Sequence, residues 1–133
     1  MSEPCLALVI VAVEDLPRSL AFYRTVTMWA VPVETPVYAE LRSPNGFRLG
    51  LYDRRGFGRN IGRVPEPIAG PVATTELYLI VDDIAASMTR ARDAGASLLD
   101  DARDRPWGDH VGYVADPDGY VVAFARPSTV ASS

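Results

Sequence analysis

The sequence predicts an α+β fold made of two βαβββ modules whose mixed, cupped sheets are completed in a dimer. Three observations carry that expectation. Val11–Arg24 (VAVEDLPRSLAFYR) lies over Leu79–Arg92 (LIVDDIAASMTRAR) at a constant offset of 68, matching Asp15 to Asp83, Ser19 to Ser87 and Arg24 to Arg92. Ser43–Leu51 (SPNGFRLGL) lies over Asp116–Phe124 (DPDGYVVAF) at an offset of 73. Finally, Asp116-Pro117-Asp118-Gly119 is a strong turn signal between two Val-, Tyr- and Phe-rich runs, HVGYVA and YVVAFA, and reads as a β-hairpin. The 133 residues form one domain, with modules at 5–53 and 72–127 and a linker or lid loop at 54–71.

In chain order, Cys5–Val13 is a near-continuous apolar run of strand length. Asp15 is an N-cap for a helix over Leu16–Thr27, with Pro17 in the first turn where its missing N–H costs little. Leu16, Leu20 and Tyr23 recur at helical spacing and give one buried face. Trp29–Thr35 reads as an edge strand because Pro32 cannot donate to a ladder. Val37–Arg42 and Phe47–Tyr52 are strands about a Ser43–Gly46 turn, and the stretch after Asp53 is rich in Gly, Pro and Arg. The pattern then restarts. Thr74–Val81 is a strand, Asp82 and Asp83 cap a helix marked by Ile84, Met88 and Ala91, and Gly95 stops it. Ser97–Asp101 is a short strand, followed by a charged loop and the closing hairpin.

Composition excludes several functions. A net charge of −4 has the wrong sign for a general nucleic-acid binder. Every basic side chain is Arg, so no Lys is present to form a Schiff base. The single cysteine, Cys5, excludes an internal disulfide and a Cys-rich metal cluster. No apolar run approaches membrane-spanning length and residues 1–4 form no secretory signal, so a cytoplasmic protein is expected, with no membrane partner.

The paired βαβββ pattern, with EDLPRSLAFYR, the DPDG hairpin and the Pro106-Trp107-Gly108 before it, resembles the vicinal oxygen chelate superfamily over roughly residues 5–127. That superfamily includes glyoxalase I, extradiol dioxygenases, methylmalonyl-CoA epimerase and the fosfomycin- and bleomycin-resistance proteins. The resemblance implies a divalent metal held from four strands, and carried onto this chain those positions are Leu8, Gly50, Glu76 and Ala123. Only Glu76 could ligate, so neither a metal nor another cofactor is expected. Strand alternation about Glu76 and Ala123, with Ala115 opposite Tyr120, puts Thr74, Tyr78, Ile80, Val121, Ala125, His110, Gly112 and Val114 on the cup face. Alternation about Gly50 adds Val37, Ala39, Leu41, Arg48 and Tyr52. The opposite parity, including Val9, Val11, Leu49, Leu51, Leu77, Leu79, Tyr113 and Phe124, is expected beneath the helices.

A cup floored by Gly50, Gly112 and Ala123 with aromatic walls suits a bulky flat ligand. The antibiotic-binding branch that the chain resembles at PWG and DPDG implies metal-free sequestration of a bleomycin-, mitomycin-, quinoxaline- or enediyne-type drug between two protomers. The expected ligand-binding residues are Leu8, Trp29, Tyr38, Tyr52, Phe57, Tyr78, Trp107, His110 and Gly112. Trp107 has an equal claim to a plug at the sheet's end, and Glu76 paired with Arg48 has a purely structural reading. The alternatives are a cofactorless lyase, isomerase or cyclase using Glu76 or His110 as general base, and a module binding some other metabolite.

Overall fold

The computed structural model describes residues 2–128 and divides into two compact units at Pro67/Ile68. The first unit contains β1 (Val9–Val13), α1 (Leu16–Thr27), β2 (Ala30–Glu34), β3 (Tyr38–Arg42), β4 (Arg48–Asp53) and α2 (Arg54–Ile61). Its sheet runs in the order β1-β4-β3-β2, with β1 parallel to β4 and the remaining pairs antiparallel. The second unit contains β5 (Glu76–Ile80), α3 (Ile84–Asp93), β6 (Ser97–Asp104), β7 (Asp109–Ala115) and β8 (Val121–Pro127). It repeats the topology as β5-β8-β7-β6, with β5 parallel to β8. Each unit is therefore the βαβββ module expected from the repeat.

The helices start where the sequence places them. Asp15 Oδ1 accepts from the Arg18 amide at 3.1 Å, and Asp83 Oδ1 accepts from the Ala86 amide at 3.0 Å. α1 buries Leu16, Leu20, Phe22, Tyr23 and Val26 on its sheet, against Val11, Val13, Ala39, Leu41, Leu49 and Leu51. Burying each large apolar side chain contributes about 1.5–3 kcal/mol, so this layer holds the first module together. In the second module Ile84, Met88 and Ala91 of α3 bury with Val114, Val122 and Phe124.

The loop expected at 54–71 is in part a helix. Residues 54–61 form the helix α2, whose first turn is capped by Asp53 Oδ2, which accepts from the Arg55 and Gly56 amides at 3.2 Å each. Gly62 ends the helix with φ +80°. Glycines at 56 and 58 oppose the assignment by propensity, but both are buried. A Cβ on Gly58 would lie 2.4 Å from Val64 Cα, so close approach of the returning chain accounts for this residue.

A second correction is a one-residue slip at both hairpins. The expected four-residue turn puts Ala115 opposite Tyr120, whereas the structure pairs Ala115 with Val121. The Asp116 amide donates to Tyr120 O, Gly119 N donates to Asp116 O, and Asp116 Oδ1 accepts from the Asp118 and Tyr120 amides. The loop is therefore three residues, Pro117-Asp118-Gly119, with Gly119 at φ +100°. Ser43–Phe47 repeats it, with Ser43 N donating to Phe47 O and Gly46 N to Ser43 O. Because the side-chain period is two, a one-residue slip turns every residue of the preceding strand over.

Candidate functional site

Each sheet has one face packed by its long helix and one face free of it. On the second face of the first sheet lie Ile10, Gly50, Tyr52, Tyr38, Glu40, Arg42 and Arg48, as the registers Ile10↔Gly50, Tyr38↔Tyr52, Glu40↔Gly50 and Arg42↔Arg48 require. Leu8, half-buried just before β1, is two residues ahead of Ile10. Ala39 and Leu41, expected here, lie beneath α1 and are fully buried. Tyr38 and Tyr52 approach at 5.1 Å between ring centroids, and Phe57 of α2 meets Tyr52 edge-on at 6.4 Å. The structure thus brings Tyr38, Tyr52 and Phe57 together. Trp29 is half-buried at the α1–β2 junction, where its amide donates to Thr27 Oγ1.

A buried carboxylate sits in the same face. Glu40 is only 7% exposed; its Oε1 accepts from the Tyr38 hydroxyl at 2.9 Å and its Oε2 from Arg48 Nη1 at 3.1 Å. Burial, then the bond to the Glu40 carboxylate, push the Tyr38 phenol up to about 12. Glu40 therefore takes the Arg48 pairing that was expected of Glu76. Its position was readable from the alternation Tyr-Ala-Glu-Leu-Arg over residues 38–42, in which the apolar parity belongs to the core.

On the corresponding face of the second sheet lie Glu76, Tyr78, Ile80, Val121, Ala123, Ala125, Asp109, Val111, Tyr113 and Ala115. Tyr78 donates a short hydrogen bond to Asp109 Oδ2, and the Trp107 indole N–H donates to Tyr78 Oη at 2.9 Å. Burial and the Asp109 bond raise the Tyr78 phenol above its ordinary value. The indole is thus fixed on one edge while Trp107 as a whole is 57% exposed. Its place in the turn is set by Arg105 N–H donating to Asp109 O, Gly108 N–H donating to Arg105 O and Gly108 at φ +99°. Tyr113 packs on Val111, Ala123 and Ala125, and the Arg105 guanidinium stands 4.9 Å over the Tyr113 ring. Arg105 is itself bound to Asp100 at 3.0 Å and to Val111 O.

His110 and Gly112 do not belong to this face. The slip turns them to the helix side, where a Cβ on Gly112 would lie 2.9 Å from Met88 Sδ. Val114 is likewise buried there, and Tyr113, expected beneath the helix, is on the outer face. His110 Nδ1 pairs with Asp104 Oδ1 at 2.9 Å, and Ser128 Oγ donates to the same oxygen at 3.0 Å. Glu76 is exposed on the edge strand β5. The open floor expected from small residues is filled by the chain itself: Tyr38 over Gly50, Met88 against Gly112 and Tyr113 on Ala123.

A metal does not fit the residues present. At the β4 position the space is taken, since a Cβ on Gly50 would lie 2.6 Å from Tyr38 Oη and 2.8 Å from Ile10 Cγ1. Among the described residues no three His, Cys, Asp or Glu side chains converge on one point. A shallow groove of about 470 Å³ between the start of α1 and the β2–β3 turn, lined by Leu16, Pro17, Leu20, Glu34, Thr35 and Pro36, contains none of the aromatic residues above. Among the described residues no helix is long and apolar enough to cross a membrane.

Comparison with known proteins agrees with the fold. The family model of the glyoxalase-like domain matches residues 8–124. Uncharacterised proteins of Mycobacterium bovis and Mycobacterium tuberculosis are 34% identical over 94 residues, which is 68% of this chain. The match spans 59% and 52% of those relatives' own lengths. A glyoxalase-related enzyme from Fulvimarina pelagi superposes with a TM-score of 0.77 at 28% identity, over 91% of this chain and 86% of that one. A glyoxalase/bleomycin resistance protein/dioxygenase family enzyme from Burkholderia phytofirmans reaches 0.79 at 17% identity, over 92% of this chain and 98% of that one, a likeness of fold alone. With the repeated module and its residues accounted for, the chain belongs to the glyoxalase-like domain family of the vicinal oxygen chelate superfamily.

Proposed function

We infer that this protein binds a flat aromatic small molecule without a metal, and protects its cell by sequestering such a compound, a bleomycin-, mitomycin- or enediyne-type antibiotic. One observation carries the reading: Trp107 presents more than half of its surface to solvent while its N–H is held by Tyr78, itself held by Asp109. A large apolar ring fixed in an exposed position loses little entropy when a ligand stacks on it. Binding, unlike turnover, needs no group of tuned acidity. The Burkholderia relative's name places bleomycin resistance proteins within the range of its family. A homodimer in the cytoplasm, with each protomer contributing to the ligand groove, is part of this proposal.

The test is a fluorescence titration of the Trp29→Phe protein, in which Trp107 is the sole indole, against one compound of each antibiotic type. Saturable quenching, weakened at least tenfold when Trp107→Leu is followed by calorimetry with the same compound, is the expected result. Absence of quenching throughout, or an affinity unchanged by Trp107→Leu, would overturn the proposal. Light scattering during size-exclusion chromatography gives the oligomeric state independently.

A further inference from the structure

The Tyr38–Glu40–Arg48 cluster of the first module has a chemistry that aromatic stacking does not use. The Glu40 carboxylate is divided, one oxygen accepting from Tyr38 and the other from Arg48 Nη1. Arg48 Nη2 donates to the Ala7 carbonyl at 3.3 Å. The single proton of Tyr38 is spent on Glu40, so its oxygen offers lone pairs only. A phenol held near 12 keeps that proton at any working pH. Arg48 offers donors only, and its side chain remains 36% exposed. Because both groups bind one carboxylate, an acceptor and a donor stand side by side, with the Tyr52 ring 5.1 Å from that of Tyr38 as a flat wall. Gly50 makes the arrangement possible, since any side chain there would displace the Tyr38 hydroxyl.

We propose that Tyr38 and Arg48 form a ligand subsite for the edge of a neutral planar molecule that carries an N–H beside a C=O, as a lactam does. The ligand N–H donates to Tyr38 Oη, and the ligand carbonyl accepts from the free guanidinium N–H groups of Arg48. Glu40 is a positioning residue: it touches both recognition groups and neutralises Arg48, which favours an uncharged ligand over a carboxylate. The subsite lies wholly in the first module and stands independently of the role given to Trp107.

The probe pair is 2-quinolone, which has the lactam edge, and N-methyl-2-quinolone, which lacks the donor. Amide chemical shifts of the ¹⁵N-labelled full chain locate each compound. Saturable shifts at Ala39, Glu40, Gly50 and Leu51 with 2-quinolone, at least tenfold weaker with the N-methyl compound, are expected. Tyr38→Phe, which removes the hydroxyl that accepts from the ligand and donates to Glu40, should abolish the preference between the two probes, and Arg48→Leu should weaken both. No saturable shift at those amides, or equal affinity for the two probes, would overturn the proposal. Quenching of Trp107 without shifts in the first sheet rejects this subsite and leaves the stacking site intact; the converse rejects only the stacking site.

Discussion

Replacing Gly50 by Ala adds one methyl group at a tightly filled point of the first module. The new Cβ would stand 2.6 Å from Tyr38 Oη, 2.9 Å from Tyr38 Cε1 and 2.8 Å from Ile10 Cγ1. If the structure holds, overpacking costs about 1–3 kcal/mol. If Tyr38 swings away, its hydrogen bond to the Glu40 carboxylate is lost, at about 1.5–3 kcal/mol. These are alternatives, so they do not add. Ala also returns about 0.5–1 kcal/mol over Gly in the interior of a strand. The net expectation is a loss of about 1–2 kcal/mol, read as a lower urea midpoint at unchanged slope. In a Tyr38→Ala background only the Ile10 contact remains, and Gly50→Ala should cost clearly less than it does with Tyr38 in place. Equal effects of Gly50→Ala in both backgrounds would refute the claim that Tyr38 fills the space above Gly50.

Three further outcomes follow from named contacts. Asp53→Ala removes the cap of a short, glycine-bearing helix at a cost of about 0.5–2 kcal/mol, and hydrogen exchange should quicken over 55–61; unchanged protection there contradicts the capping role. Tyr78→Phe releases the Trp107 indole, so emission from the Trp29→Phe protein should shift and ligand affinity should fall about tenfold. An unchanged spectrum and affinity would show that Tyr78 does not brace the ring. Arg103 and Arg105 hold the Asp100 carboxyl below its ordinary value of 3.8. Its folded pKa thus lies below the unfolded one, so the stabilisation is complete above the ordinary value of 3.8 and is lost as pH falls through the folded pKa. Asp100→Asn should flatten stability against pH in that acidic window and nowhere above it, which acid titration of the unfolding midpoint checks.

The repeated module was legible because helix caps and apolar runs are local signals. Asp15, Asp83, Leu16 and Leu20 each act within one turn of the place where they stand. Strand faces were less legible, because they depend on the turn between strands. Asp116 uses its side chain to close a three-residue loop, and counting four residues there turned His110 and Gly112 to the wrong side. The same count at Ser43–Phe47 hid Glu40, although Ala39 and Leu41 already marked the core parity of β3. α2 was hidden for a different reason. Gly58 answers to the close approach of Val64, and Gly56 to that of the Tyr52 ring, rather than to local propensity. Among the aromatic candidates, Tyr38, Tyr52 and Phe57 came together, as did Tyr78 and Trp107, because Tyr38, Tyr52 and Tyr78 stand on the sheet faces free of the long helices.

The proposed function requires that an aromatic compound be held without metal and returned unchanged. The most direct measurement is equilibrium dialysis of chelator-treated protein against a small panel of aromatic antibiotics, with mass spectrometry and chromatography of the recovered compound. Stoichiometric binding in the chelator and recovery at the original mass and retention time are expected. Binding that appears only when a divalent metal is restored, or a recovered compound altered in mass or isomeric form, would contradict it.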